Sequence, residues 1–193
     1  MKVLLINGSR RESGCTNTAL QMVAKSLNEQ GIDTEIFFIG EKAIEGDMAG
    51  IVKNAVKKME ECDGLVVGSP VYYASPSGEV IAFLDRFFGT AKAQLHHKPA
   101  AAVVSARRGG TTASFDVLNK YFTISQMPIV SSTYWNNVHG NTPDEVKQDK
   151  EGMQIMRNLG TNMAWMLKCI EAGKKAGIDI PVAEAAEKTN FIR

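Results

Sequence analysis

The sequence predicts an α/β fold: a doubly wound sheet of five parallel strands in three layers, α/β/α. Three observations carry that prediction. Short apolar runs at Val3–Ile6, Thr34–Ile39, Leu65–Gly68, Ala100–Ser105 and Ile129–Ser132 read as five strands, the first apolar enough to be buried on both faces. Stretches with helical spacing separate them, so strand and helix alternate and the strands run parallel. A Gly/Ser/Thr/Asn-rich run follows the first strand, turn chemistry at the carboxyl edge where such sheets bind ligands.

Each element has its own warrant. Leu20, Val23, Ala24 and Leu27 give Thr16–Gln30 one apolar helical face, and Gly31 is placed to stop it. Met48–Cys62 is helical, with Ile51, Ala55, Val56 and Met59 on one face and Lys53, Lys57 and Lys58 on another; Asp63-Gly64 then turns into the third strand. Ser75 followed by Pro76 reads as an N-cap with proline at the first helical position, opening a helix that carries Val80, Ile81, Phe83, Leu84, Phe87 and Phe88. A helix over Thr111–Ser125 and a long last helix from about Pro143 to Ala176 complete the pattern.

The chain of 193 residues supports one well-buried core, and no Pro/Gly/Ser-rich linker or charge run divides it, so residues 1–193 are expected to form a single domain. Twenty-two basic against 21 acidic residues give no electrostatic case for nucleic acid or an acidic membrane surface, which leaves a small molecule as the expected partner. The short apolar run before Asn7 is neither a secretory signal nor a membrane span, and a cytoplasmic protein is the expectation. Cys15, Cys62 and Cys169 are few and far apart, which argues against a disulfide framework and a zinc site. There is no internal repeat.

Function should reside in the loops at the carboxyl ends of the strands. In Gly8-Ser9-Arg10-Arg11-Glu12-Ser13-Gly14-Cys15-Thr16-Asn17-Thr18 a helix start offers unpaired backbone N–H groups to an anion, with Ser9, Thr16, Asn17 and Thr18 as neutral donors and Arg10 or Arg11 as countercharge. The run lacks both G-x-G-x-x-G and G-x-x-x-x-G-K-[ST], so a ligand ending in one phosphate fits better than a dinucleotide or nucleoside triphosphate. The same run also serves as an ordinary turn in which Thr16 or Asn17 caps the helix. After the third strand, Tyr72 and Tyr73 beside Pro70 and Val71 form either a wall for a flat ring or plain packing. After the fourth, Ser105-Ala106-Arg107-Arg108-Gly109-Gly110 offers close backbone approach and two arginines, or a turn with two solvated ones. After the fifth, Trp135 covers a ligand or a neighbouring subunit, while His139 has no cysteine or carboxylate at triad or ligand spacing. His96-His97 precedes the fourth strand, away from that edge; Asp85-Arg86 reads as an ion pair or a subunit contact.

With these loops together, the chain resembles the NADPH-dependent FMN reductase family of flavodoxin-like proteins. GSRRESGCTNT, DGLVVGSPVYYASPSGEVIAFLDR, SARRGG and DKEGMQIMRNLG carry the resemblance across nearly the whole length. Within the family its pattern is nearest the iron-sulfur flavoproteins, which carry a compact cysteine run between strand two and helix two; here that interval, Ile39 to Gly50, contains no cysteine. An iron-sulfur cluster needs several thiolates held close together, so a cluster-free relative without a metal site is expected. The resemblance implies that Ser9, Arg10 or Arg11, Thr16, Asn17 and Thr18 hold the phosphate of FMN. It implies that Pro70, Val71, Tyr72 and Tyr73 flank the flavin and that Ser105, Gly109 and Gly110 approach its pyrimidine side.

The resemblance further implies an oxidoreductase in which NADPH or NADH reduces bound FMN and a small-molecule acceptor reoxidises it, with no catalytic side chain required because the cofactor carries the chemistry. A flavin-binding electron carrier or redox sensor without nicotinamide turnover is the rival reading; such carriers are usually strongly acidic, and this chain is near neutral. A third reading keeps the fold and places another phosphorylated ligand in the cup. The family pattern also implies a homodimer or homotetramer, with Phe87, Phe88, Tyr134 and Trp135 as candidate interface aromatics.

Overall fold

Strand β1 (Lys2–Asn7) runs through the middle of the sheet, as its composition demands: Val3, Leu4, Leu5 and Ile6 are all fully buried, so both faces have to be covered. The computed structural model describes residues 1–184 and 186–191. After β1 come α1 (Cys15–Glu29), β2 (Asp33–Phe38), the short α2 (Lys42–Glu45), α3 (Met48–Glu60), β3 (Gly64–Tyr72) and the two-residue β4 (Ser75–Pro76). They are followed by α4 (Gly78–Thr90), the short α5 (Lys92–Leu95), β5 (Ala100–Ala106), α6 (Thr111–Ile124), β6 (Asn137–His139), α7 (Pro143–Gln148) and α8 (Lys150–Lys175). Five parallel strands lie in the order β2-β1-β3-β5-β6, with β4 antiparallel to the end of β3. Strand order reverses between β1 and β3, which places the switch point, and the expected ligand crevice, at their carboxyl ends.

The two-residue period of the strands divides the core into two layers. Leu4, Ile6, Leu65, Val67, Ala100, Ala102 and Val104 face α3, α4 and α6, where Phe83 and Phe87 stack at 5.3 Å between ring centroids. Val3, Leu5, Val66, Ala101 and Val103 face α1 and α8. Phe87 and Phe88 are buried in the first layer and so are core rather than interface residues, whereas Tyr134 and Trp135 are exposed.

Four elements differ from the sequence reading, each for an identifiable reason. The fifth strand is not Ile129–Ser132: Ile129 makes one isolated bridge to Ala100, and the ladder resumes only at Asn137–His139 against Val104–Ala106. Between these points the chain leaves the edge because side chains hold it elsewhere, with Asn162 Nδ2 donating to Ser131 O and Asn158 Nδ2 to Thr133 Oγ1. Ser75 and Pro76 do not open a helix; they pair with Tyr72 and Val71 as a hairpin, and Ser77 is the N-cap, its Oγ accepting from Val80 N. The third strand therefore runs on through Pro70 and Val71 to Tyr72. The long last helix breaks at Asp149, whose carboxylate caps α8 through Gly152 N and also accepts from His139 N at 2.7 Å, tying β6 to α8. Asp85 does not pair with Arg86 but accepts the Tyr121 hydroxyl at 2.5 Å, while Arg86 Nη1 donates to Ala82 O.

One edge of the sheet is pinned electrostatically. Glu35 on β2 bridges Lys2 of β1, at 2.7 Å, and Lys58 of α3. The hydrogen bond from Lys2, then that from Lys58, holds the Glu35 carboxyl below its ordinary value, so the stabilisation is present above the unfolded-state pKa and is lost as pH falls through the folded one. Glu35→Gln is accordingly expected to lower the urea midpoint at pH 7, with the gap from the unmutated protein closing as the pH is taken below the carboxylate range; equal midpoints at pH 7 would show that the bridge contributes nothing.

Candidate functional site

The cup is organised by Asn7, the last residue of β1. Fully buried, Asn7 donates from Nδ2 to Glu12 O and accepts Ser9 N on Oδ1, so one side chain closes the loop from both ends. Ser9 Oγ accepts Arg11 N at 3.1 Å, and Gly14 N donates to Arg11 O. Gly8 follows Asn7 where a side chain cannot fit: a Cβ there would lie 2.6 Å from Val80 Cγ2 and 2.7 Å from Gly68 O. Ser77 Oγ donates to Gly8 O at 2.8 Å, and Ser77 N donates to Ser69 Oγ, so α4, β3 and the cup share one hydrogen-bonded junction.

The helices that open here are built differently from their neighbours. Asp47, Ser77, Thr142 and Asp149 cap α3, α4, α7 and α8 with side-chain oxygens. Gly14 and Gly110 precede α1 and α6 without any side-chain cap. At α1 the first backbone N–H groups therefore remain for an anion, on the favourable end of the helix dipole. Thr16 Oγ1 and Ser105 Oγ share a buried 2.8 Å hydrogen bond that locks the start of α1 to the end of β5.

Between these parts lies a cavity of about 310 Å³ at the carboxyl ends of β1, β3 and β5. Ser9, Arg11, Thr16, Pro70, Val71, Tyr72 and Ser105 line it, together with Arg107, Gly140 and Asn141. Arg11 and Arg107 are among its lining residues and no Asp or Glu is, so its field favours an anion. Cys15 also lines it, with Sγ 3.7 Å from Gly140 O; burial pushes this thiol above its ordinary pKa, which keeps it protonated and poorly nucleophilic. A larger, more apolar cavity opens at the opposite edge of the sheet. The smaller one is the candidate site because it alone of the two sits at the switch point.

A sequence profile described as NADPH-dependent FMN reductase matches residues 1–142. The chain belongs to that family. Members of the NADPH-dependent FMN reductase family are flavin-dependent oxidoreductases, and the relatives agree with the placement. An iron-sulfur flavoprotein of Methanocaldococcus jannaschii is 31% identical over 192 residues, covering 89% of this chain and all of its own length. A second from Methanosarcina thermophila is 23% identical over 195 residues. Among solved structures, RosB with a bound flavin intermediate superposes with a TM-score of 0.67 at 18% identity, covering 100% of this chain and 94% of its own. An archaeal flavodoxin gives 0.65 at 14% identity, covering 87% and 99%. These structural likenesses establish the flavodoxin-like fold.

The FMN reductase fold brings together only part of the residue set that the sequence suggested. Ser9, Arg11, Thr16, Pro70, Val71, Tyr72 and Ser105 converge on the cavity. Arg10 turns away from it to Glu79, Glu41 and Glu45, at 3.2, 3.6 and 3.8 Å. Asn17 and Thr18 lie in the first turn of α1 outside the cavity lining, Thr18 Oγ1 donating to Gly14 O. Tyr73 is fully exposed at the hairpin tip with φ +51°, and Gly109 is exposed. Gly110, at φ +92°, is pressed against Ala74, whose Cα would lie 2.6 Å from an added Cβ.

Gly140 closes the loop that the sequence places after the fifth strand, and Asn141 and Pro143 beyond it join the lining because the last ladder runs only at Asn137–His139; Gly140 N donates to Ala106 O, which draws this turn to the cavity. Ser13 and Gly14 lay within the recognised run, but nothing in the sequence set them apart from Asn17 and Thr18. The three cysteines are dispersed: Cys15 at the cavity, Cys62 buried and Cys169 exposed on α8. No group of three or more His, Cys, Asp or Glu side chains able to hold a metal ion forms among the described residues. The residues present do not fit an iron-sulfur cluster, and in the cysteine-free interval Glu41 and Glu45 pair with Arg10.

Ser77 joins the cup to the rest of the site, so its loss should be felt in stability and in the site together. Ser77→Ala removes an N-cap and leaves the Gly8 carbonyl without its donor, and should destabilise the protein by about 1–3 kcal/mol in urea unfolding. A change within 0.3 kcal/mol or so would mean that the junction is held by packing alone.

Proposed function

We propose that the cavity binds FMN and that the protein is an FMN-dependent NAD(P)H oxidoreductase of the flavin or quinone reductase type. The observation that carries this reading is the cavity itself: an uncapped helix start beside Ser9 and Arg11, with Pro70, Val71 and Tyr72, Arg107 and no Asp or Glu also in the lining. The residues fit a flat ring bearing a single phosphate. Ser9, Arg11 and Thr16, with the amides that open α1, hold the phosphate; Arg10, Asn17 and Thr18 support that loop from outside the cavity lining. Pro70, Val71 and Tyr72 flank the ring and Ser105 lies on its pyrimidine side, while Tyr73 at the exposed hairpin tip and Gly109 and Gly110 at the start of α6 shape those two loops from outside the cavity lining. FMN held by these residues would supply the redox chemistry, with NADPH or NADH as hydride donor and a small molecule as electron acceptor.

The chain's own part is binding, orientation and field. Tyr72 and Val71 shape an apolar wall, and the hairpin that carries them is fixed by pairing with β4 and by contact with Gly110. Arg107 adds a second positive charge at the cavity rim, suited to an anionic donor or to charge gained on reduction. No side chain in the cavity is asked to act as nucleophile or proton donor, and the neutral Cys15 thiol is compatible with that. The proposed protein is a cluster-free relative of the iron-sulfur flavoproteins, a single cytoplasmic FMN-binding domain over residues 1–193 that assembles as a homodimer or homotetramer. No helix among the described residues is long and apolar enough to cross a membrane.

Arg11→Ala should raise the FMN dissociation constant about 10- to 100-fold, the loss of one charge-assisted hydrogen bond, and leave the affinity for riboflavin unchanged. Arg10→Ala should act more weakly, because Arg10 is paired with carboxylates. Purified protein that shows no flavin absorption and takes up no added FMN would sink the reading. Stoichiometric FMN with negligible oxidation of both NADPH and NADH would convert the protein into an electron carrier or redox sensor, and mass spectrometry of extracted ligand would reveal any other phosphorylated occupant.

A further inference from the structure

The two edges of the sheet are finished differently. On β6, Asn136 O accepts Val104 N and Gly140 N donates to Ala106 O, so by the alternation of a parallel ladder Asn136, Val138 and Gly140 face β5 while Asn137 and His139 point outward. Both outward N–H groups are taken within the chain, Asn137 N by Trp135 O and His139 N by Asp149 Oδ2. That edge is closed to a further strand.

Strand β2, the opposite edge, has no such cover. Asp33 N donates to Met1 O and Ile39 N to Asn7 O, and the parallel register between them turns the backbone groups of Asp33, Glu35 and Phe37 toward β1. Thr34, Ile36 and Phe38 therefore aim their N–H and C=O groups away from the sheet, and among the described residues no group receives them. The strand also lacks the devices that blunt an edge, which are extreme shortness, proline, a bulge or lysine. Asp33–Phe38 runs six residues in unbroken register with no Pro, Gly or Lys, and Glu35 is already paired with Lys2 and Lys58. Ile36 and Phe37 pack partly against the two core layers, one on each face, so the unpaired backbone is flanked by apolar side chains on both sides.

We propose that β2 pairs antiparallel with β2 of a second copy, joining two sheets into one across a two-fold axis. Alternation and charge fix the register. With Ile36 opposite the partner's Ile36, Thr34 lies opposite the partner's Phe38, and every outward group is used, each such pair exchanging two hydrogen bonds. Centring the axis on Glu35 would set two carboxylates face to face and bring Phe38 against the partner's Ile32, whose N–H is already donated to Leu27 O. Centring it on Phe37 would bring Thr34 against the partner's Gly40, which has left the extended region at φ +59°. An edge that matches itself about a two-fold axis needs no second kind of protein. The assignment rests on the homo-oligomer of the preceding section and names its contact face; no residue of β2 lines the cavity, which stays open to small molecules.

Sedimentation velocity and amide hydrogen exchange on the full chain test this, with Ile36→Lys as the variant. The substitution keeps the bonds to β1, which come from Asp33, Glu35 and Phe37, and sets two ammonium groups together at the axis. The unmutated chain should sediment as a dimer or larger at micromolar concentration, with the Thr34, Ile36 and Phe38 amides protected. The variant should dissociate at least tenfold more readily and exchange its Thr34 and Phe38 amides at least tenfold faster. Glu35 and Phe37 amides should stay protected in both proteins, which reports that the strand is intact, and flavin uptake should be unchanged. A monomeric full chain overturns the face and the oligomer together, whether or not it takes up FMN. An assembled chain whose Thr34, Ile36 and Phe38 amides exchange freely beside protected Glu35 and Phe37 overturns the face alone, a result that needs no variant to fold. A folded Ile36→Lys protein that keeps the assembled mass does the same.

Discussion

The junction of Gly8 with Gly68 is the constraint on which the rest of the site depends. Gly8 N donates to Gly68 O at 2.9 Å where β1 and β3 part company, and Gly8 O accepts Ser77 Oγ from the start of α4. Both positions exclude a side chain, since a Cβ on Gly68 would meet Leu20 and Thr16 of α1 at 2.9 Å. Two strands therefore meet backbone to backbone at one point, with side chains of two helices from opposite faces of the sheet packed directly onto it. With that contact made, the start of α1 is held beneath the cup, and Thr16 can reach across to Ser105 on β5.

The adjacent arginines of the cup divide two tasks that their sequence positions do not distinguish. Arg10 is taken by Glu79, Glu41 and Glu45, and so braces the cup against α2 and α4. Arg11 stays with the cavity. The division has an electrostatic consequence: Glu79 is almost buried at the first turn of α4, and without Arg10 its charge would oppose an anion in the cup. Arg10 thus serves anion binding by neutralising a neighbour, while Arg11 serves it by proximity.

Much of this was legible in the sequence, and the exceptions share a cause. The runs Val3–Ile6, Leu65–Gly68 and Ala100–Ser105 identify themselves because strands buried on both faces leave little choice of residue. The cup is legible because turn chemistry at a strand end is local. The fifth strand was not, because its path is decided by Asn158 and Asn162, more than twenty residues away on α8. The cap of α4 is not fixed locally for a related reason. Ser75-Pro76 and Ser77-Gly78 are both good helix starts locally, and the pairing of Tyr72 with Ser75 across a hairpin decides between them. The exit of Arg10 from the cavity depends likewise on carboxylates brought in from α2 and α4.

The hairpin that bears Tyr72 adds a point about rigidity. Its two-residue tip places Tyr73 and Ala74 at φ +51° and +57°, where glycine or asparagine is the inexpensive choice and other residues cost of order 1–3 kcal/mol each. Such a turn persists only if its surroundings over-determine it. Here they do so twice, through the Val71–Pro76 and Tyr72–Ser75 pairs on one side and the close packing of Ala74 on Gly110 on the other. Gly110 in turn opens α6 from the left-handed region, so the strain at the tip and the missing side-chain cap of α6 are two aspects of one contact. The wall that faces the cavity is therefore held by the β3–β4 pairing and by the start of α6, and the position of Tyr72 follows from those contacts rather than from a mobile loop.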